Sequence, residues 1–282
     1  MRTRRSKPKS NVGPKEPGDY SKVVKKIQDV ADFDPEVKVV LYGKPGTGKT
    51  TLAASFPQPA LLIDISEKGS DSVRDVKGLK VIRVTEWDEL EQLYWYLLAN
   101  PDDIKSVILD TMSYAQELAI KCVLEQHGKG TGEGQLGGWG TMTKGMWGEV
   151  SSKLKPFITN MRDLEEMNVV FIAHDRVFNA DDEDDNAGSI APSVGPRLMP
   201  SVASTLNAAV GVIGNTFIRE RFKVIGEGKN KREKRIVEYC LRIGPHAYFI
   251  TKVRKPKGVD MPEVIVDPSY EDILELMTGE GK

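Results

Sequence analysis

The residues best suited to chemistry stand together: Gly43, Lys44, Pro45, Gly46, Thr47, Gly48, Lys49, Thr50 and Thr51 contain a complete G-x-x-x-x-G-K-[ST] spacing. Glycines in such a loop let the backbone curl until successive N–H groups converge on an anion, and a following helix adds the positive end of its dipole. Lys49 would then meet the outer phosphates of a nucleoside triphosphate, and the Thr50 hydroxyl would be a ligand to Mg²⁺. The competing reading is a glycine-rich surface turn before an ordinary helix. The flanks argue against it, because an apolar run of strand character precedes the loop from Val39 to Tyr42 and Leu52 and Ala53 can open a helix. ATP and Mg²⁺ are the expected pair, with adenine and guanine left open.

A metal shared with Thr50 needs a carboxylate opposite it. Ser106 to Asp110 is an apolar run ending in an acid and resembles a Walker B element, so Asp110 would hold Mg²⁺ through water. Alone such a strand says little. Downstream of a full phosphate loop, at a spacing with room for two intervening strands, it says much more. Three further runs put polar groups at strand ends: Ala60 to Asp64 leads into Glu67, Asn168 to Ala173 leads into His174, and Phe249 onward carries Lys252 and Arg254.

These groups require a scaffold of buried parallel strands with the chemistry at their carboxyl ends. Strands are expected at 38–42, 60–64, 80–84, 106–110 and 168–173. Helices alternate with them: one over 87–98 burying Leu90, Leu93, Tyr94, Leu97 and Leu98, one over 113–126, and a long one carrying Trp147, Leu154, Phe157, Ile158, Met161 and Leu164. From Ala208 the pattern changes to strands alone, at 208–213, 217–225, 235–243 and 247–253, read as antiparallel hairpins at the sheet edge, before a last helix over 270–277. The expected class is α/β, a mostly parallel sheet flanked by helices with antiparallel C-terminal strands. Two long loops interrupt it, a glycine-dense one at 127–140, expected to be mobile, and one at 177–196 with the acidic run Asp181 to Asp185.

A chain of 282 residues, 39% hydrophobic, can bury one substantial core. Residues 1–18, with Arg2, Arg4, Arg5, Lys7 and Lys9 unopposed by acids, are read as a disordered basic arm, and 19–282 as the domain, opening on a short helix with Val23, Val24, Ile27 and Val30. A net charge of −1 means that nucleic-acid binding must rest on local patches. Cys122 and Cys240 are too few and too far apart for a disulfide framework or a metal site, and are read as reduced core residues. No apolar run is long enough to span a membrane, and none follows the first basic residues to make a signal peptide. A soluble cytoplasmic protein is expected, of the bacterial host cytoplasm if the chain is of phage origin.

Hydrolysis needs a group that orients the attacking water. In AAA+ remodellers this is normally a glutamate directly after the Walker B acid, where this chain has Thr111, and no C-terminal helical lid is visible. In RecA-like proteins it sits past the strand after the phosphate-loop helix, where this chain has Glu67. The strand ending at His174 is similar to the one that carries the RecA-like polar sensor, usually glutamine, between γ-phosphate and a DNA-binding loop. Lys252, Arg254 and Lys255 resemble the Lys-x-Arg strand that RecA-like rings and filaments insert into a neighbour's nucleotide site. The span from about Lys38 to Asp267 thus resembles the phage RecA-like nucleotide-binding proteins, which include single-strand annealing ATPases of the Sak type. The resemblance implies a P-loop ATPase acting on single-stranded DNA in phage recombination or annealing, as a homo-oligomeric ring or filament, with a single-stranded-DNA-binding protein as partner.

Each assignment has a plainer competitor. Glu67 is otherwise a solvated acid, His174 a satisfied interior histidine, and Lys252 and Arg254 part of a solubilising face. Trp139, among glycines, is a candidate for stacking on bases, whereas Trp147 is read as packing. Lys144, Arg176 and Arg197, in or beside the two loops, are candidates for tracking phosphates. The acidic run would repel DNA, so its tip either points to solvent or gates access. The alternatives to a DNA-dependent ATPase are an ATP-gated annealing scaffold with little turnover and a phosphotransferase to a small acceptor.

Overall fold

The computed structural model describes residues 20–25, 27, 29, 36–65, 69–128, 142–178, 192–225 and 232–279. The chain divides into two compact units, Met1–Pro35 and Glu36–Lys282. In the first, helix α1 covers Ser21–Val24, with Val24 and Ile27 exposed. The arm expected over 1–18 lies outside the described residues.

The second unit is built on β1 (Lys38–Gly43), whose six residues are all buried. Beside it on one flank lie β5 (Asn168–Ala173), β4 (Ser106–Asp110), β2 (Ala60–Ile65) and β3 (Leu79–Val84), and on the other β8 (Val212–Ile225), all parallel to β1. The sheet continues past β8 into β9 (Arg232–Arg242) and β11 (Val264–Val266), each antiparallel to its neighbour, and β10 (Lys252–Val253) pairs antiparallel with the start of β8, making nine strands. This is the α/β fold of a P-loop NTPase, with the expected antiparallel C-terminal edge.

Alternate residues of β1 enter different cores, which is why the run is apolar throughout. Val40 and Tyr42 join one core with α3 (Trp87–Ala99), α4 (Met112–Gln126), α5 (Lys144–Arg162) and α6 (Pro200–Ala209). Val39 and Leu41 join the other with α2 (Lys49–Ala54) and α7 (Tyr270–Thr278). Capping boxes start two of these helices, Glu86 with Glu89 at α3 and Ser269 with Asp272 at α7. Among the described residues no helix is long and apolar enough to cross a membrane.

Five details depart from the sequence reading. Ala208 lies in the last turn of helix α6 and does not begin a strand. Pro200 at its first position and Val202, Ala203, Leu206 and Ala209 on its buried side carry a helical period that the apolar content alone concealed. Strand β8 then runs unbroken through Gly214 and Asn215, because β9 pairs with it from Asn215 to Ile225. The expected strand at 247–253 contracts to Lys252–Val253, and β6 (Asp175–Phe178) pairs with β7 (Ser193–Pro196) where a loop was expected. Trp147 and Leu98, both read as packed, are 38% and 48% exposed, since each lies at the margin of its helix's apolar stripe.

Lys38 is a buried cation at the base of the sheet. At 9% exposure, its ammonium donates to Leu164 O at 2.7 Å and to Met167 O, and pairs with Glu36 at 3.0 Å. It thereby ties the start of β1 to the turn before β5. Burial holds its pKa below the ordinary 10.5, against the upward pull of Glu36. Replacing it leaves two carbonyls without a donor, so Lys38→Met should cost about 1–3 kcal/mol in thermal or denaturant unfolding at neutral pH. A lysine whose folded pKa is depressed penalises the folded state below that pKa. The penalty is relieved as pH rises toward 10.5, so the gap between native protein and variant should widen over that range.

Candidate functional site

The site begins where β1 ends. Gly43 delivers the chain into a loop in which Gly46 and Gly48 take left-handed φ values of 78° and 84°, a conformation glycine adopts without steric cost. Gly48 stands at the N-cap of α2. Lys49 curls back over the loop, its ammonium donating to Gly43 O at 3.0 Å and to Lys44 O at 2.8 Å. Thr47 Oγ1 donates to Lys44 O at 2.8 Å and so accepts from Thr216 Oγ1 of β8 at 2.6 Å. The loop is thus braced by a neighbouring strand.

Thr50 Oγ1 donates to Asp110 Oδ2 at 2.7 Å. Asp110 ends β4, is 2% exposed, and is joined to Thr111 by a cis peptide. Gly69, which opens a 3₁₀ turn over Gly69–Val73, covers this pair closely: a Cβ there would lie 3.3 Å from Asp110 Oδ2 and 3.8 Å from Thr50 Oγ1. On β2, Asp64 stands in register with Asp110, buried, with Arg83 Nε 3.8 Å from its Oδ2. His174 follows β5; its backbone N–H donates to Ser113 Oγ at 3.1 Å and its ring meets Tyr114 edge-on at 5.9 Å. Ser113 Oγ in turn donates to Arg197 O at 3.1 Å, and Arg197 N–H to His174 O at 2.8 Å.

A cavity of about 650 Å³ is lined by residues 45–52, by Gly69, Asp71, Ser72, Asp110, His174 and Thr216, and by Tyr239, Cys240, Asp267 and Pro268. Its size suits a nucleotide. Burial raises the pKa of the Cys240 thiol and so keeps it protonated. A family model described as AAA domain matches residues 35–254, more than three quarters of the chain. The chain belongs to the AAA-domain family. No curated protein matches it. Nucleotide binding and the ATPase class follow from that membership. The match agrees with the P-loop ATPase class expected from the phosphate loop, and Thr111, where AAA+ remodellers normally carry glutamate, is fully buried.

Of the residues singled out from sequence, the loop, Asp110 and His174 come together around the cavity of this AAA domain. Glu67 and Trp139 lie outside the described residues, as does the run Asp181 to Asp185. Lys252 and Arg254 sit at the opposite end of the sheet, where β10 pairs with the first residues of β8. Lys252 Nζ donates to Asn207 O at 2.8 Å and Val210 O at 2.7 Å, and Arg254 Nη2 to Ala208 O at 3.3 Å, so both satisfy carbonyls at the C-terminal end of α6. Burial lowers the pKa of Lys252, and neighbouring Arg254 adds to the effect. Lys144 is exposed in the first turn of α5. Arg176 lies over the Phe178 ring at 5.2 Å, and Arg197 pairs with Glu117 at 3.0 Å. Thr216, Ser113, Tyr239 and Asp267 escaped the sequence reading. Only the polar pair Asn215 and Thr216 inside an apolar strand offered a signal.

Gly43 has no room for a side chain, since a Cβ would lie 2.3 Å from Thr216 O and 2.6 Å from Thr216 Oγ1. Gly43→Ala should therefore push β8 away from the loop. We expect a loss of about 1–3 kcal/mol in unfolding free energy, together with weaker nucleotide binding by calorimetry.

Proposed function

We propose that the chain is a Mg²⁺-dependent ATPase of RecA-like type that acts on single-stranded DNA in recombination or strand annealing of the phage kind. In this reading it works as a homo-oligomeric ring or filament, beside a single-stranded-DNA-binding protein. The observation that carries the nucleotide half is the 2.7 Å hydrogen bond between Thr50 and Asp110 beside the phosphate loop. A hydroxyl and a carboxylate oxygen brought together at a phosphate site form a hard-oxygen donor set suited to Mg²⁺. When bound, that ion neutralises phosphate charge.

The chain's own residues then divide the work. Lys49 exchanges the carbonyls of Gly43 and Lys44 for phosphate oxygens, and the loop amides bind the same group from behind. Asp110 accepts from Thr50 and keeps its hydroxyl turned toward the metal position. Glu67, just past β2, orients the attacking water, with its strand directly beside that of Asp110. His174 lines the cavity at the foot of the β6–β7 hairpin, and its carbonyl holds Arg197 N–H at 2.8 Å. A shift at His174 is passed through that bond to Arg197 and, along β6, to Arg176, which track DNA phosphates with Lys144, while Trp139 stacks on a base. Lys252 or Arg254 acts on a neighbouring copy after releasing its α6 carbonyls. A buried Thr111 where the remodellers carry glutamate favours a second reading, an ATP-gated annealing scaffold with little turnover.

The test is ATP hydrolysis by the purified chain with and without single-stranded DNA, beside Glu67→Gln and Lys49→Ala. DNA should stimulate hydrolysis, Glu67→Gln should lower it by about 10²-fold or more while nucleotide still binds, and Lys49→Ala should lose nucleotide affinity. DNA binding without turnover would select the scaffold. Turnover indifferent to DNA, or DNA affinity indifferent to salt, would remove the DNA half of the proposal.

A further inference from the structure

The phosphate machinery accounts for only part of the cavity's lining. The remainder includes a wall beside the loop made by Tyr239 and Cys240 of β9 with Asp267 and Pro268 of the turn between β11 and α7. The wall carries no cation, and Asp267 repels phosphate. Of the cavity's other lining acids, Asp110 accepts from Thr50 at 2.7 Å and Asp71 is paired with Arg74 at 2.7 Å, whereas the carboxylate of Asp267 accepts no hydrogen bond from a described residue. The uncharged part of a nucleotide belongs against this wall.

We infer that Tyr239 and Asp267 form the nucleobase subsite: the Tyr239 ring is the surface on which the base lies, and the Asp267 carboxylate accepts a hydrogen bond from the exocyclic amine of a purine. The inference rests on the nucleotide-site reading above and extends it to base selection. The Tyr239 ring abuts the phosphate loop, with its Cδ1 3.2 Å from where a Cβ on Gly48 would stand. At 45% exposure the ring keeps a surface open to a ligand. Its cross-strand neighbour Ile218 supports it. An ionised carboxylate only accepts hydrogen bonds, so it distinguishes bases by the donors on their edge.

The wall is held in place before any ligand arrives. Val266 pairs with Cys240, and Asp267 N–H donates to Tyr239 O at 2.7 Å, so the two recognising residues are bonded to each other through their backbones. Asp267 takes a left-handed φ of 49°, which aspartate tolerates better than most residues. Pro268 and the capping box at Ser269 fix the chain after it. Tyr270 N–H then donates to Ser55 Oγ at 2.9 Å, and the Tyr270 ring packs on Phe56 with centroids 4.9 Å apart. Both contacts anchor the wall to the end of α2, the phosphate-loop helix, and so preset its distance from the phosphates. Asp267 and Pro268 lie beyond the region matched by the AAA-domain model, which ends at residue 254.

The experiment is calorimetric binding to the full chain of tripolyphosphate and of two nucleotide pairs that differ only by the amine: ATP with purine riboside triphosphate, and GTP with ITP. In at least one pair the amine-bearing nucleotide should bind roughly three- to tenfold tighter. In Asp267→Gly, a change that suits the left-handed backbone, that ratio should fall to about one, with tripolyphosphate affinity retained. Tyr239→Ala should weaken every nucleotide by about tenfold and leave tripolyphosphate alone. Equal binding within both pairs, discrimination that survives Asp267→Gly, or a Tyr239→Ala loss shared by tripolyphosphate would overturn the subsite while the phosphate site stands. Failure of tripolyphosphate and all four nucleotides to bind would overturn the nucleotide-site reading and the subsite together.

Discussion

The bond from Thr50 to Asp110 has to span two strand spacings. Strand β5 lies between β1, which carries the phosphate loop, and β4, which carries the acid. With neighbours about 4.8 Å apart, the two strand ends are separated by roughly 10 Å. The hydroxyl covers that distance because α2 packs against β1, β5 and β4 together, so its first turn leans across the intervening strand. Anything that displaces α2 or separates these three strands breaks the bond, and the loop and the acid then cease to be one site.

Burial of both faces keeps the three strands in place. Every residue of β1, β2 and β4 is buried, and of β5 all but the first. Four helices cover one face and two the other, so the apolar surface removed from water on each side opposes any slip in register. Two buried polar groups tie segments of this interior together. Lys38 is held by two carbonyls and Glu36, and Asn215 receives Arg242 Nη1 at 2.8 Å while donating to Tyr42 O at 3.3 Å. Arg242 is itself stacked between Phe217 and Phe249, with its guanidinium 4.3 and 4.1 Å from the two ring centroids. These bonds join β9 to the end of β1, which makes the C-terminal strands part of the phosphate-loop scaffold.

Two lines of connection leave the cavity. One runs from His174 through Ser113 and Arg197 into the β6–β7 hairpin and is made of hydrogen bonds that a small movement of β5 would strain. The other runs from Tyr239 and Asp267 through Tyr270 to Ser55 and Phe56, returning to the helix on which the phosphates would rest. The first is suited to passing a change outward, and the second to holding the cavity's width constant.

Short-range features were legible in the chain itself. The phosphate loop is a local backbone device, and its glycines, lysine and threonine stand in one uninterrupted spacing whatever surrounds them. The strands ending at Asp110 and Ala173 announced themselves because burial on both faces demands continuous apolar runs, and α3, α4 and α7 because a single buried face repeats every three or four residues. Helix α6 was hidden by the same apolar content that marks a strand. The contraction of the 247–253 strand to β10 followed from pairing, since only residues 252 and 253 find a partner on β8. By itself the sequence determined the class of fold, the phosphate loop and the acid on β4. The tertiary structure alone decided that Lys252 and Arg254 close the end of α6, that Thr216 braces the loop, and that Tyr239, bonded to Asp267, lies against Gly48. Those contacts join segments far apart along the chain, and their partners are chosen by strand order and register, which no local pattern of residues encodes.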